Sequence, residues 1–115
     1  MSGADAGAAC REALAYSYEV RSWAVTLGLL TLALVLLYDE GNREAACVLL
    51  GHPEVRDAVP LQVRAVNAQV FRGKVEALKS EPGADGWMAR GAAMDRHELV
   101  RYALDHLGPR FNFAV

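Results

Sequence analysis

The longest uncharged stretch of the chain is SWAVTLGLLTLALVLLY, Ser22 to Tyr38, bounded by Arg21 on one side and Asp39-Glu40 on the other. Such a run predicts a helix that is apolar on every side, and a helix of that kind is buried in protein or in lipid. With the segment before it, one long apolar helix is expected over about 12–40. Gly41-Asn42 suits a reversal and the start of a next helix, REAACVLL, which runs to Gly51 with Pro53 beyond it as a stop. Residues 52–60, with Pro53 and Pro60, read as a connector. From Leu61 to Phe71 the positions Val63, Val66 and Val70 recur with helical spacing, while Arg64, Asn67 and Arg72 fall elsewhere on the wheel. Gly73 is expected to interrupt that pattern, KVEALKS to resume it, and EPGADG to form a loop. WMARGAAM predicts a further helix. Asp95 and Glu98 then have capping-box spacing ahead of a last helix that carries Leu99, Val100, Ala103, Leu104 and Leu107 on one face. Gly108-Pro109 ends it. Strand-like alternation is absent, so the chain reads as one all-α domain over 1–115.

Composition decides between protein and lipid only in part. Apolar residues make up 53% and charged residues 23% of 115 residues, a globular balance with length for a single core. Seventeen uncharged residues just reach the lower edge of a membrane span, and Trp23 and Tyr38 stand where interfacial aromatics would. The flanks, however, show little Lys/Arg bias: one Arg precedes the run and two acids follow it. A helix buried in protein is the expectation, and a single-pass membrane protein with 22–38 spanning is the alternative. The start of the chain carries Asp5, Glu12 and Glu19 before the apolar run and no basic segment, which argues against a signal peptide. Cytoplasmic residence is therefore expected. Cys10 and Cys47 lack CxxC spacing and read as small apolar residues or one disulfide. A net charge of -2 with scattered Lys and Arg gives no reason to expect nucleic acid.

The pattern Gly-x-x-Glu-Ala occurs at Gly41 to Ala45 and again at Gly73 to Ala77, 32 residues on. A looser third copy keeps Glu98 but has Asp95 in place of the glycine. A period near 32 suggests stacked helical hairpins, each too small to bury its own apolar face. LALVLLYDEGNREAACVLL, and less closely VRAVNAQVFRGKVEAL, resemble the tetratricopeptide repeat, with Pro53 and Pro82 roughly where a closing Pro falls. GNREAACVLL and ELVRYALDHLG are similar to ankyrin second helices, but the Thr-Pro-Leu-His signature is missing. In size and layout the segment of about 23–107 looks like the small cytoplasmic chaperones of type III secretion that cradle the needle subunit. That resemblance implies about three hairpins, a helical protein client held in a groove, and a second small helical co-chaperone, while residues 109–115 read as a C-terminal tail. The tail RFNFAV, with Phe111, Phe113 and Val115 at alternate positions, suits capping of the last hairpin or, as an extended peptide, docking on another subunit.

The open apolar surface left on so greasy a helix is where a client is expected to sit. Leu30, Leu34, Leu37, Val66 and Val70 are the candidate contacts. An enzyme is not expected. His52, His97 and His106 have neither ligand nor triad spacing to the cysteines, EPGADG is no phosphate loop, and the adjacent acids Asp39 and Glu40 diverge on a helix. Metal and cofactor are likewise not expected, and the histidines read as surface or capping residues. Trp87 reads as a core residue and Gly28 as a place for close helix packing.

Overall fold

Seven helices account for the described residues, 3–62 and 68–107, of a computed structural model: α1 (Gly3–Glu19), α2 (Trp23–Asp39), α3 (Arg43–Gly51), α4 (Pro53–Gln62), α5 (Ala68–Lys79), α6 (Ala84–Ala93) and α7 (Arg96–His106). No strand occurs among these residues, so the all-α reading holds. The helix expected over about 12–40 is two helices. α1 ends in a turn in which the Arg21 N–H donates to the Tyr18 carbonyl (3.0 Å) and the Ser22 N–H to the Ser17 carbonyl (2.9 Å). This pair of bonds is the Schellman motif, and it requires a left-handed residue, here Arg21 at φ 62°. α2 ends in the same way. Gly41 N–H donates to Tyr38 (3.0 Å) and Asn42 N–H to Leu37 (2.9 Å), with Gly41 at φ 88°. Asn42 then caps α3 by accepting from the Ala45 N–H.

The segment expected to be a connector over 52–60 is largely α4. Pro53 opens it, where the missing N–H would have had no partner in any case. The His52 ring accepts a hydrogen bond from the Glu54 N–H at 3.2 Å, so this histidine is a buried cap. Gly73 does not interrupt the chain but lies inside α5. The two Gly-x-x-Glu-Ala copies therefore occupy different local structures, a reversal and a helix interior. α6 begins at Ala84, within the expected loop, and α7 carries the full capping box, Asp95 Oδ1 accepting from the Glu98 N–H and Glu98 Oε1 from the Asp95 N–H.

α2 lies at the centre, in contact with α1, α3, α4, α5 and α7. The most extensive helix pair is α3 with α6, and α7 returns to touch α1. Glycine makes the α3–α6 approach feasible: a side chain at Gly91 would strike the Val48 carbonyl, and one at Gly51 the Met88 backbone. Ion pairs between Glu44 and Arg90 (2.9 Å) and between Arg43 and Glu81 (2.6 Å) brace the rim of that contact. Leu14, Leu30, Leu34, Leu37, Leu49, Leu50, Leu78 and Leu99 are fully buried and form the centre of the core. Burying each such side chain is worth roughly 1.5–3 kcal/mol. No described helix is long and apolar enough to cross a membrane.

Candidate functional site

The face of α2 that stays open is not the one expected to bind. Leu30, Leu34 and Leu37 have no exposed surface, packed with Thr26, Thr31 and Ala33 on the inner side of the helix. These three leucines are core residues, and this corrects their placement on an open groove. Val66 lies outside the described residues. Val70, on α5, is 56% exposed. On α2 itself the exposed large apolar residues are Val25 (54%) and Leu32 (46%), with Leu29 and Leu36 half-buried beside them. Positions 25, 29, 32 and 36 fall in one line along a helix, and Gly28 lies next to it. The open surface is an aliphatic strip about three turns long.

Local hydrogen bonding explains why leucine is outside and threonine inside. Thr26 Oγ1 donates to the Ser22 carbonyl at 2.8 Å and lies 2.9 Å from Ser17 Oγ, while Thr31 Oγ1 donates to the Gly28 carbonyl at 2.7 Å. Each hydroxyl is satisfied within its own turn or by its neighbour, so it enters the core without the usual penalty. The Ser17–Thr26 contact also ties α1 to α2 just behind the Arg21 turn.

Beside the N-terminal end of α2 lies a cleft of about 640 Å³, lined by residues that include Tyr18, Arg21, Trp23 and Thr26 on the α1–α2 side and Arg96 and Leu104 of α7. Trp23 and Arg96 of its lining belong to a polar cluster. Glu54 of α4 accepts from Arg96 Nε (3.0 Å) and Nη2 (2.7 Å) and from Trp23 Nε1 (3.1 Å), and the Arg96 guanidinium stacks on the Trp23 ring at 4.4 Å. Arg96 chiefly, with help from Trp23, holds the Glu54 carboxyl below its ordinary pKa. At the rim, Tyr18 Oη lies 3.1 Å from His97 Nδ1. The volume falls within the range of small-ligand sites. Of the charged residues that line it, Arg96 is answered by Glu54 of α4.

The remaining chemistry is structural. Cys10 and Cys47 are free thiols in the core, and burial pushes both up to about 11, which leaves them protonated and poorly nucleophilic. His106 bonds the Tyr102 carbonyl at 2.8 Å and stacks on its ring. Trp87 packs half-buried against the core. Among the described residues no group of His, Cys, Asp and Glu is placed to hold a metal ion. The open strip was hidden in the sequence because α2 is apolar on all sides. The two threonines within it, Thr26 and Thr31, are buried on the inner side. No family model matches the chain, and neither a curated protein nor a solved structure does.

Proposed function

We propose that the chain is a non-enzymatic protein-binding module that takes an amphipathic helix of a partner on the open strip of α2. The observation that carries this reading is the row Val25, Leu29, Leu32 and Leu36, with Val25 and Leu32 about half exposed, while the other leucines whose burial is described are buried or half-buried. An aliphatic row at i, i+4, i+7 and i+11 is the surface that an amphipathic helix covers in helix-in-groove recognition. Val70, exposed on α5, is a further contact in this proposal, and Lys74, one turn further along α5, bonds Asp39 at the end of α2 (2.7 Å).

The reading as a cytoplasmic export chaperone of the type III secretion kind, built from tetratricopeptide-like hairpins, is part of the same proposal and is supported by layout. α1 with α2 and α2 with α3 are adjacent helical pairs joined by tight turns. The return of α7 to α1 departs from an open stack, so the strip on α2, rather than a concave solenoid face, is the client surface in this proposal. A second small helical co-chaperone would cover whatever the client leaves open.

The test is co-purification from the native host with mass spectrometry of the eluate. Wild-type chain is expected to retain a small protein with an amphipathic helix, and Val25→Glu with Leu32→Glu to release it while helicity by circular dichroism is unchanged. Retention of the same partner by the double variant would remove the strip from the function.

A further inference from the structure

The cleft of about 640 Å³ between the α1–α2 junction and α7 shares no lining residue with the aliphatic strip, and the client reading makes no use of it. Its walls are of two kinds. Tyr18, Trp23 and Leu104, all half-buried, supply apolar surface, most of it aromatic. The charged lining residues are Glu19, Arg21 and Arg96. Arg96 is bonded twice to Glu54, so its charge is answered within the fold. Glu19 and Arg21 differ from it. Both are exposed, and neither forms an ion pair with the other or with any described residue. Two uncommitted charges of opposite sign therefore border one cleft with aromatic walls.

That combination selects a class of ligand. An anion would gain at Arg21 and be repelled at Glu19, and a cation would meet the reverse, so a single charge gains little. A neutral apolar molecule would strip water from both charges and give them no partner. A molecule with an ammonium and a carboxylate on one aromatic body satisfies both at once. We propose that the cleft binds such a zwitterion, of aromatic amino-acid or dipeptide size, with its carboxylate on Arg21, its ammonium on Glu19 and its ring against Trp23 and Tyr18. The volume has room for either size. The Arg96 guanidinium covers one face of the Trp23 ring at 4.4 Å and Glu54 accepts from its indole N–H at 3.1 Å, so that ring is fixed before a ligand arrives. Position 21 is left-handed, and an arginine kept where glycine would be unstrained fits a place that uses its side chain.

The probe is the dipeptide Ala-Phe, followed through the Trp23 indole N–H signal in proton–nitrogen NMR spectra of the full chain, with Trp23→Phe assigning that signal. A ligand of about 17 non-hydrogen atoms at ordinary efficiency gives a dissociation constant of roughly 0.1–1 mM. Acetylating its amine or amidating its carboxylate should weaken binding about threefold to fivefold at low salt, the size of an exposed ion pair, and about 1 M salt should erase most of the difference. Arg21→Gln should weaken the free dipeptide to the same extent and leave the amide unchanged. Glu19→Gln should weaken the free dipeptide and leave the acetylated form unchanged. Leu32→Glu, on the strip, should alter none of these, which separates this site from the client surface. Circular dichroism checks the fold of each variant, and the blocked peptides test the charge assignment on the wild-type chain without any substitution. No saturable shift up to about 10 mM, blocked peptides that bind as tightly as the free one, or variants that keep wild-type affinity would overturn the proposal. Loss of the dipeptide in Leu32→Glu would place it on the strip and overturn the proposal equally.

Discussion

The two ends of α2 are joined to their neighbours by the same turn built from different residues. Tyr18-Glu19-Val20-Arg21-Ser22 and Tyr38-Asp39-Glu40-Gly41-Asn42 align residue for residue, and both form the same pair of backbone bonds. The left-handed position is Gly41 in one and Arg21 in the other. A side chain there costs about 1–2 kcal/mol. The Arg21 turn is held in spite of that cost by what surrounds it: Ser17 and Thr26 bonded across the junction, and Leu14 buried one turn earlier. Tertiary contact can thus impose a glycine conformation on an arginine. The converse also occurs at Gly73, a glycine that sits in a helix and serves no turn.

Substitutions at four positions would break or sharpen this contrast. Gly91→Ala has the largest expected effect, because its methyl group has to displace the Val48 backbone, the closest part of the α3–α6 contact. A loss of about 2–3 kcal/mol is expected in denaturant unfolding, and a loss below about 1 would mean that α3 and α6 slide apart freely. Gly41→Ala comes next, at about 1–2 kcal/mol, since open space around Gly41 leaves backbone strain as the sole cost. Gly73→Ala has the opposite sign. Nothing lies within reach of an added methyl, so a gain of about 0.5–1 kcal/mol in thermal stability is expected from helix propensity. Arg21→Gly is the smallest, a gain of about 0.5 kcal/mol, because relief of the left-handed strain is partly offset by the greater freedom of glycine in the unfolded chain. Should Arg21→Gly destabilise the protein, the two turns would not be equivalent after all.

What was legible in the sequence follows the same division. Signals carried by local chemistry were readable: the turn at Gly41-Asn42, the helix closing at Gly51 and the capping box at Asp95 and Glu98 all appear as expected. Features set by the tertiary environment were not. The junction at Arg21 has no turn-forming residue at its left-handed position. Pro53 reads as a stop but opens α4, because a proline suits both the end of one helix and the first position of the next. The candidate contacts suffered most. In an all-apolar helix the choice of inner face depends on the neighbours, and Leu30, Leu34 and Leu37 are buried in a helix that packs against α1 before it and α3, α4, α5 and α7 after it. Val25 and Leu32, on the opposite side, carry no local mark of their exposure.

Trp23 gives the molecule an optical gauge. Its indole donates to the Glu54 carboxylate and lies beneath the Arg96 guanidinium, so its emission depends on α2, α4 and α7 staying together. Acid should release this gauge late. Glu54 is held below its ordinary pKa, so its stabilising charge persists below the usual carboxylate range and is lost only as pH falls through the lowered value. A fluorescence step displaced to more acidic pH than a free glutamate would give, and abolished in Glu54→Gln, would time the parting of these three helices without any added label.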